Sequence, residues 1–442
     1  MTTFSIPSPA QLLQRLIKFN TTNPPGNERA CVEYIRDVLT AVGIESTLYA
    51  KSPERPNLYA RLQGQGKTHP LLLYGHVDVV TTQNQVWEHP PFEANIIDDM
   101  IWGRGALDMK SGVAMMVSAF IRAKQRATPP PGDVILVILS DEEASGNFGA
   151  KYLAEAHPDL FEGVKYALGE FGGFTFYLGG KKFYPIQTNE KQQCHVRVTI
   201  QGTPGHGSMP VQNGAMAKAA KFLTQLDRRS LPVHIAPTTR AMFTTLAAGL
   251  SFPSSLVIRQ LLNPALTNLV LELLGEQART LSPLLHNTVS PTIIHGSDKL
   301  NVIPGEVTID LDGRILPGLT PDVLLEELQP FADDSFTFEV RGYNPGPSHV
   351  NMTLFPVLAD ILHEADREGI ATPLLLAAVT DGRFFARLGI QTYGFTPMKL
   401  PPGFNFSQTI HAANERIPVD SVEFGTQAIS QALQRFGEID SK

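Results

Sequence analysis

The sequence predicts an α/β protein: a mostly parallel sheet with helices on both faces, into which a smaller α+β unit is inserted. Three observations predict it. Residues 71–75 (LLLYG) and 134–139 (VILVIL) are uninterrupted apolar runs of strand length, as expected of strands buried on both faces. Residues 194–201 (CHVRVTIQ) and 307–315 (VTIDLDGRI) alternate instead, the mark of strands with one face in water. A chain of 442 residues exceeds what one compact core commonly holds, so two domains are expected.

Taken in order, helices are expected at 8–18 and 28–42, then the strand 71–75, a helix at 110–126 and the strand 134–139. The strand at 194–201 opens the smaller unit. A helix near 214–227, the strand 307–315, a helix at 321–331 and a strand at 335–341 complete a small antiparallel sheet backed by helices. Beyond Gly342 the helix and strand alternation returns, with a helix near 354–368, a strand at 392–395 and a closing helix from Val419. The larger domain is therefore expected to be discontinuous, 1–191 and 343–442, with 192–342 inserted as a lid. One stretch, 241–297, is long, apolar and sparsely charged. It is expected to be helical, either as extra lid core or as a surface at a site mouth or subunit contact.

Composition narrows the class. The hydrophobic fraction of 43% and charged fraction of 18% suit a folded soluble chain, and no run is long and apolar enough for a bilayer. A net charge of -7 argues against a nucleic-acid partner and leaves small molecules. Residues 1–20 carry no basic segment followed by an apolar one, so no leader and a cytoplasmic setting are expected. Cys31 and Cys194 suit a reducing compartment, with free buried thiols as the simpler reading.

Chemistry-bearing residues gather at predicted strand ends. His76 and Asp78 follow the 71–75 strand, and ligands of open α/β sheets bind at the carboxyl ends of strands. Two positions apart on extended chain, Asp78 can bond the far nitrogen of His76 and fix its tautomer; a capping aspartate beside a solvated histidine reads the same way. Asp108, in 103–112 (GRGALDMKSG), sits where a helix begins, so it is either a cap or a ligand. This segment is no phosphate-binding loop, because Met109 rather than glycine precedes Lys110. After VILVIL comes 140–143 (SDEE), whose three carboxylates suit a helix start but repel one another unless a cation or proton intervenes. Glu170 repeats the arrangement after 164–168. Caps explain each position singly, but not His76, Asp108, Glu143 and Glu170 together at one sheet edge.

Histidine and carboxylate donors without thiolates suit zinc, with cobalt or manganese as substitutes, and two ions sharing a carboxylate would lie about 3.5 to 4 Å apart. The best candidate for a missing donor is His411, in 409–415 (TIHAANE). A serine-hydrolase elbow is absent around Ser208, and His363-Glu364 fails the HExxH pattern because position 367 is arginine.

The motifs GHVDVV, WGRGALDMKSG, SDEE, GHGSMP, NVIP and HAANERI occur in this order, with FNTTNPPGNE near the start and TDGRFF near the end. By them the chain resembles, over nearly its whole length, the family of aminoacylase, carboxypeptidase G, acetylornithine deacetylase and succinyl-diaminopimelate desuccinylase. The resemblance implies a zinc-exopeptidase-like domain with a ferredoxin-like lid and two zinc ions per subunit. It implies Asp108 as bridging ligand, Glu143 and His411 completing one site, and His76 and Glu170 the other, with a cis peptide at Asp108-Met109. It also implies Glu142 as general base, Asp78 in support of His76, a homodimer formed through the lid, and His206, Asn301 and Arg314 as substrate contacts, His206 in the partner's site. The activity implied is hydrolysis of an amide or peptide bond next to a free carboxylate, by a metallopeptidase or deacylase; a catalytically silent binding protein on the same fold is the alternative.

Each substrate contact has a plainer reading: His206 as a turn cap, Asn301 closing a turn before Pro304, and Arg314 paired with Asp310 or Asp312. Two departures stand out. Glu170-Phe171-Gly172 replaces the common Glu-Gly-Gly, and the apolar insertion at 241–297 is more like the carboxypeptidase S and aminoacylase branch, favouring N-acyl amino acids or dipeptides.

Overall fold

The computed structural model describes residues 6–275, 278–347 and 350–441. Its centre is a nine-stranded sheet in the order Ser46–Ala50, Pro56–Leu62, Val134–Leu139, Leu71–His76, Tyr166–Gly169, Gln391–Gly394, Lys181–Glu190, Gly369–Leu376, with Phe176–Leu178 beside Lys181–Glu190. From Val134–Leu139 to Gln391–Gly394 the neighbours run parallel, while Ser46–Ala50 and Pro56–Leu62 pair antiparallel.

The uninterrupted apolar runs now have a physical reason. Leu71, Leu73, Val134, Leu136 and Ile138 pack into one hydrophobic cluster, while Leu72, Tyr74, Ile135, Val137 and Leu139 pack into another. Neither face meets water, so the period of two that a half-exposed strand would show is erased. The first cluster is roofed by the helices Pro9–Ile17, Lys110–Gln125 and Val419–Arg435, the second by Ala150–Ala156 and Gly382–Ala386. Pro9–Ile17 starts at Ser8 with a reciprocal cap: the Ser8 hydroxyl accepts from the Gln11 amide and the Gln11 side chain accepts from the Ser8 amide.

A second sheet is fully antiparallel, in the order Thr288–His295, Glu306–Ile315, Gln192–Gln201, Phe336–Asn344. Its central strands, Gln192–Gln201 and Glu306–Ile315, alternate buried and open residues, and the buried side packs with Ala215, Ala219, Phe222, Leu324 and Leu328 from the helices Ala215–Arg228 and Pro321–Leu328.

The stretch 241–297 departs from the expectation of helix throughout. It forms the helices Pro237–Gly249, Ser254–Gln260, Thr267–Leu274 and Ala278–Leu281, but ends in the strand Thr288–His295. That segment is rich in β-branched residues and pairs with Glu306–Ile315, which settles its backbone as strand. Nor is the insertion packed only with the smaller sheet. Met242, Phe243, Leu246 and Leu271 share a core with Phe183 and Leu375, so it covers the Lys181–Glu190 and Gly369–Leu376 end of the larger sheet.

Candidate metal centre

Three neighbouring parallel strands end side by side. Leu71–His76 delivers His76 itself, Val134–Leu139 runs into Ser140 to Glu143, and Tyr166–Gly169 is followed by Glu170. Asp108 arrives from the turn before Lys110–Gln125, and His411 from the turn after the short helix Phe406–Thr409.

These side chains converge. His76 Nε2 lies 3.2 Å from Asp108 Oδ1 and 3.4 Å from Glu170 Oε2. His411 Nε2 lies 3.1 Å from Asp108 Oδ2 and 3.3 Å from Glu143 Oε2. The donor atoms of His76, Asp108 and Glu170 lie within 4.8 Å of one another, as do those of Asp108, Glu143 and His411. Asp108 belongs to both sets, one carboxylate oxygen to each.

The donor set fits divalent cations. Glu143 Oε1 and Glu170 Oε1 are buried without a hydrogen-bond partner, an expensive state for a carboxylate that no cation neutralises. Charge tells the same story. Burial pushes the Asp108 carboxyl up, but the imidazoles of His411 and His76 hold it well below the ordinary range. The same carboxylates act in return: Asp108 and Glu143 raise His411 to about 10. Burial and the charge of Asp108 push Glu143 up to about 7. Two protonated imidazoles among four acids stand in for positive charge that metal ions would bring.

The far nitrogen of His76, Nδ1, contacts Asp78 twice, at 3.0 Å from its backbone carbonyl and 3.4 Å from its carboxylate. Asp78 also does something the spacing did not suggest. Its Oδ1 accepts from the Glu142 amide and its Oδ2 from the Glu143 amide, both at 3.1 Å, so one carboxylate seats the backbone of both glutamates. Glu142 joins neither donor set. Burial, and then the charge of Glu170, push its carboxyl well above the usual range.

Glu415 was another unforeseen participant. Fully buried, it accepts from the amides of Leu107 (2.7 Å), Asp108 (3.1 Å) and Gly105 (3.0 Å) and from Arg104 Nη1 (2.7 Å). It thereby holds the turn that carries Asp108, and its place four residues beyond His411 in HAANERI was the available signal. The Asp108-Met109 peptide is cis.

The substrate-contact candidates lie apart from these contacts. His206 is exposed and its Nδ1 pairs with the Ser208 hydroxyl at 2.7 Å, within its own turn. Asn301 neighbours it: the Gly207 amide donates to the Asn301 carbonyl at 2.9 Å, and Gly205–His206 pairs with Val302–Ile303. Arg314 makes a two-pronged ion pair with Asp312, at 3.0 and 2.9 Å, while Asp310 pairs with Arg197. Of its two foreseen plain partners, Asp312 is the one in contact. Phe171, the departure beside Glu170, has φ +66° and packs edge-on to Phe174 and Phe406, whose helix leads into the His411 turn.

A sequence profile described as Peptidase family M20/M25/M40 matches residues 72–435. Human N-fatty-acyl-amino acid synthase/hydrolase PM20D1 is 28% identical over 91% of this chain and 81% of its own length. Succinyl-diaminopimelate desuccinylase from Hydrogenovibrio crunogenus is 26% identical, covering 96% of this chain and 97% of its own. Among solved structures, an M20 family metallo-carboxypeptidase, Sso-CP2 from Sulfolobus solfataricus, superposes with a TM-score of 0.68 at 17% identity, over 98% of this chain and 100% of that one.

Proposed function

The chain belongs to Peptidase family M20/M25/M40, a metal-dependent amide-bond hydrolase, and from that premise we propose two zinc ions per chain, bridged by Asp108. Glu143 and His411 would complete one site, and His76 and Glu170 the other. The single observation that carries this reading is the pair of three-residue donor sets sharing one carboxylate, with a buried orphan oxygen on Glu143 and another on Glu170. Oxygen and imidazole donors favour zinc, and cobalt or manganese would substitute.

The metal pair, when bound, supplies the Lewis acidity that makes water a nucleophile near neutral pH. Glu142 takes the proton from that water and passes it to the departing amine. Burial and the charge of Glu170 raise its affinity for protons, the direction a general base needs. Asp78 supports both His76 and the Glu142 backbone.

The substrate is a small molecule, an N-acyl amino acid or short peptide with a free carboxylate next to the scissile bond. The activities named for PM20D1 and the desuccinylase support that class. We extend the reading to residues 192–342 as a lid that pairs two chains into a homodimer, with His206 and Asn301 reaching the partner's substrate and Arg314 exchanging Asp312 for the substrate carboxylate. A cytoplasmic setting is part of the same proposal; no helix among the described residues is long and apolar enough to cross a membrane. The silent-protein alternative finds no support, since Glu142 and all five donors are present.

The test is a hydrolysis panel of N-acyl amino acids and dipeptides with zinc-loaded protein. Glu142→Ala is expected to lower turnover by roughly 10²- to 10⁴-fold while zinc content stays at two per chain. Retained turnover would remove Glu142 from the role of base.

A further inference from the structure

The motif FNTTNPPGNE resembles its family but holds none of the residues placed at the metals. In the fold it reaches them through a buried chain of charge. Glu28, Arg55, Asn23, Asp141 and Asp78 are all at least nine-tenths buried. Arg55 Nη2 and Nε donate to the Glu28 carboxylate at 2.6 and 3.0 Å, and Nη1 lies 3.0 Å from Asp141 Oδ1. Asn23 Nδ2 bridges onward, donating to Asp141 Oδ1 at 3.1 Å and to Asp78 Oδ2 at 2.8 Å. Asp78 in turn seats Glu142 and Glu143.

Asp141 is the corner of this arrangement. It is non-glycine at φ +72°, a left-handed conformation that costs energy unless its surroundings impose it. They do: besides Arg55 and Asn23, its Oδ2 accepts from the Phe148 amide, and its backbone carbonyl accepts from the Ser145 and Gly146 amides. The guanidinium is gripped from both sides. The Phe148 ring lies 4.9 Å from it, and a Cβ on Gly26, itself at φ +76°, would come within 2.3 Å of its carbon. That turn is glycine because the guanidinium occupies the space a side chain would need.

We propose that Arg55 is a positioning residue of this hydrolase. By binding Glu28 and Asp141 at once it fixes the left-handed corner from which Glu142 and Glu143 diverge, one to the water and one to the metal. The proposal rests on the roles given above to Glu142 and Glu143. Lysine cannot replace it, since one ammonium does not span two carboxylates in this planar, three-nitrogen geometry.

The test compares variants that share a backbone tolerance but not a side chain. Asp141→Asn and Asp141→Gly both accept φ +72°, yet only asparagine keeps an oxygen for Arg55 and Asn23. For Arg55→Lys and Asp141→Gly, kcat is expected to fall at least tenfold with KM within threefold in protein holding two zincs. Zinc affinity of the apoprotein, read by competition with a chromophoric chelator, should weaken at least tenfold. Asp141→Asn, which keeps the oxygen for Arg55 and Asn23 but loses the one that accepts from the Phe148 amide, should lose less than Asp141→Gly on both readouts, and Arg55→Lys combined with Asp141→Gly should be no worse than the more severe of the two alone.

A merely structural Arg55 would lower the thermal midpoint while leaving kcat per loaded chain and zinc affinity unchanged, and that result overturns the proposal. Equal effects of Asp141→Asn and Asp141→Gly overturn it as well, and they decide the matter should Arg55→Lys not fold. A wild-type zinc protein that hydrolyses nothing in the panel would count against the functional reading, while the chelator measurement would still judge Arg55.

Discussion

His411 and His76 hold protons in this arrangement because acids surround them, yet a metal-binding nitrogen must be neutral. The sign follows directly. With His411 raised to about 10, the apoprotein carries that proton throughout the neutral range, and the zinc proposed for the His411 site must displace it. Zinc uptake at pH 8 is therefore expected to release at least one proton per chain, and affinity should fall as pH drops. Calorimetry in two buffers of different ionisation enthalpy measures this, and identical apparent enthalpies would contradict it. At this scale the sequence brought out the candidate donors that the fold gathers, and less of what holds them in place. His76, Asp108, Glu143 and Glu170 announce themselves because strand ends are where chemistry gathers. Glu415 acts on backbone amides and Arg55 on another side chain, so no spacing between like residues marks them; Asp78 was marked by its place beside His76, but not for the amides of Glu142 and Glu143.

Lys191 stands where the strand Lys181–Glu190 passes into Gln192–Gln201, and so where the two sheets join. Its ammonium donates to the His286 carbonyl at 2.9 Å and the Thr288 hydroxyl at 3.0 Å, and burial, then the charge of Arg314, lower its pKa to about 7. Between about 7 and the ordinary lysine value the unfolded chain binds a proton that the folded chain lacks, so stability rises with pH across that window. Urea midpoints of wild type relative to Lys191→Met should accordingly increase from pH 7 to pH 9.5; a constant difference would show that the group does not titrate there. The same region exposes what the sequence hid at the level of elements. Gly369–Leu376 is the edge strand of the larger sheet and Lys181–Glu190 its neighbour, and Pro185 and Pro373 interrupt them. Proline lacks the amide that a ladder uses, so it counts against a strand in any reading of the sequence alone. By contrast the helices at Pro9–Ile17 and Lys110–Gln125 and the alternating strands fell within a few residues of expectation, because periodicity and caps are local signals.

For the whole molecule, the proposed pairing through the smaller sheet has a visible surface. Thr288–His295 is an edge strand, and Ile293 and Ile294 are about half exposed, an arrangement that invites another chain. Light scattering is expected to give twice the 48.3 kDa chain mass, and Ile294→Lys should shift the population to monomer. If His206 works across that contact, the monomer will retain its zinc but lose turnover by tenfold or more; a wild-type monomer with full activity would dismiss the pairing. Fold class was legible because two patterns, continuous and alternating, divide the chain physically. The insertion was not, since an all-apolar stretch reads alike whether it packs on one sheet or another, and only the partners Phe183 and Leu375 reveal which.

The larger sheet takes Gln391–Gly394 between Tyr166–Gly169 and Lys181–Glu190, and the donor pair of His411 with Asp108 spans 303 positions. On a ribosome, then, the emerging polypeptide has a slit in its scaffold until Gln391–Gly394 appears, and a proposed ion trap lacking one wall until His411 follows. Maturation of the centre must wait for both, and cations captured earlier would sit on an unfinished cradle.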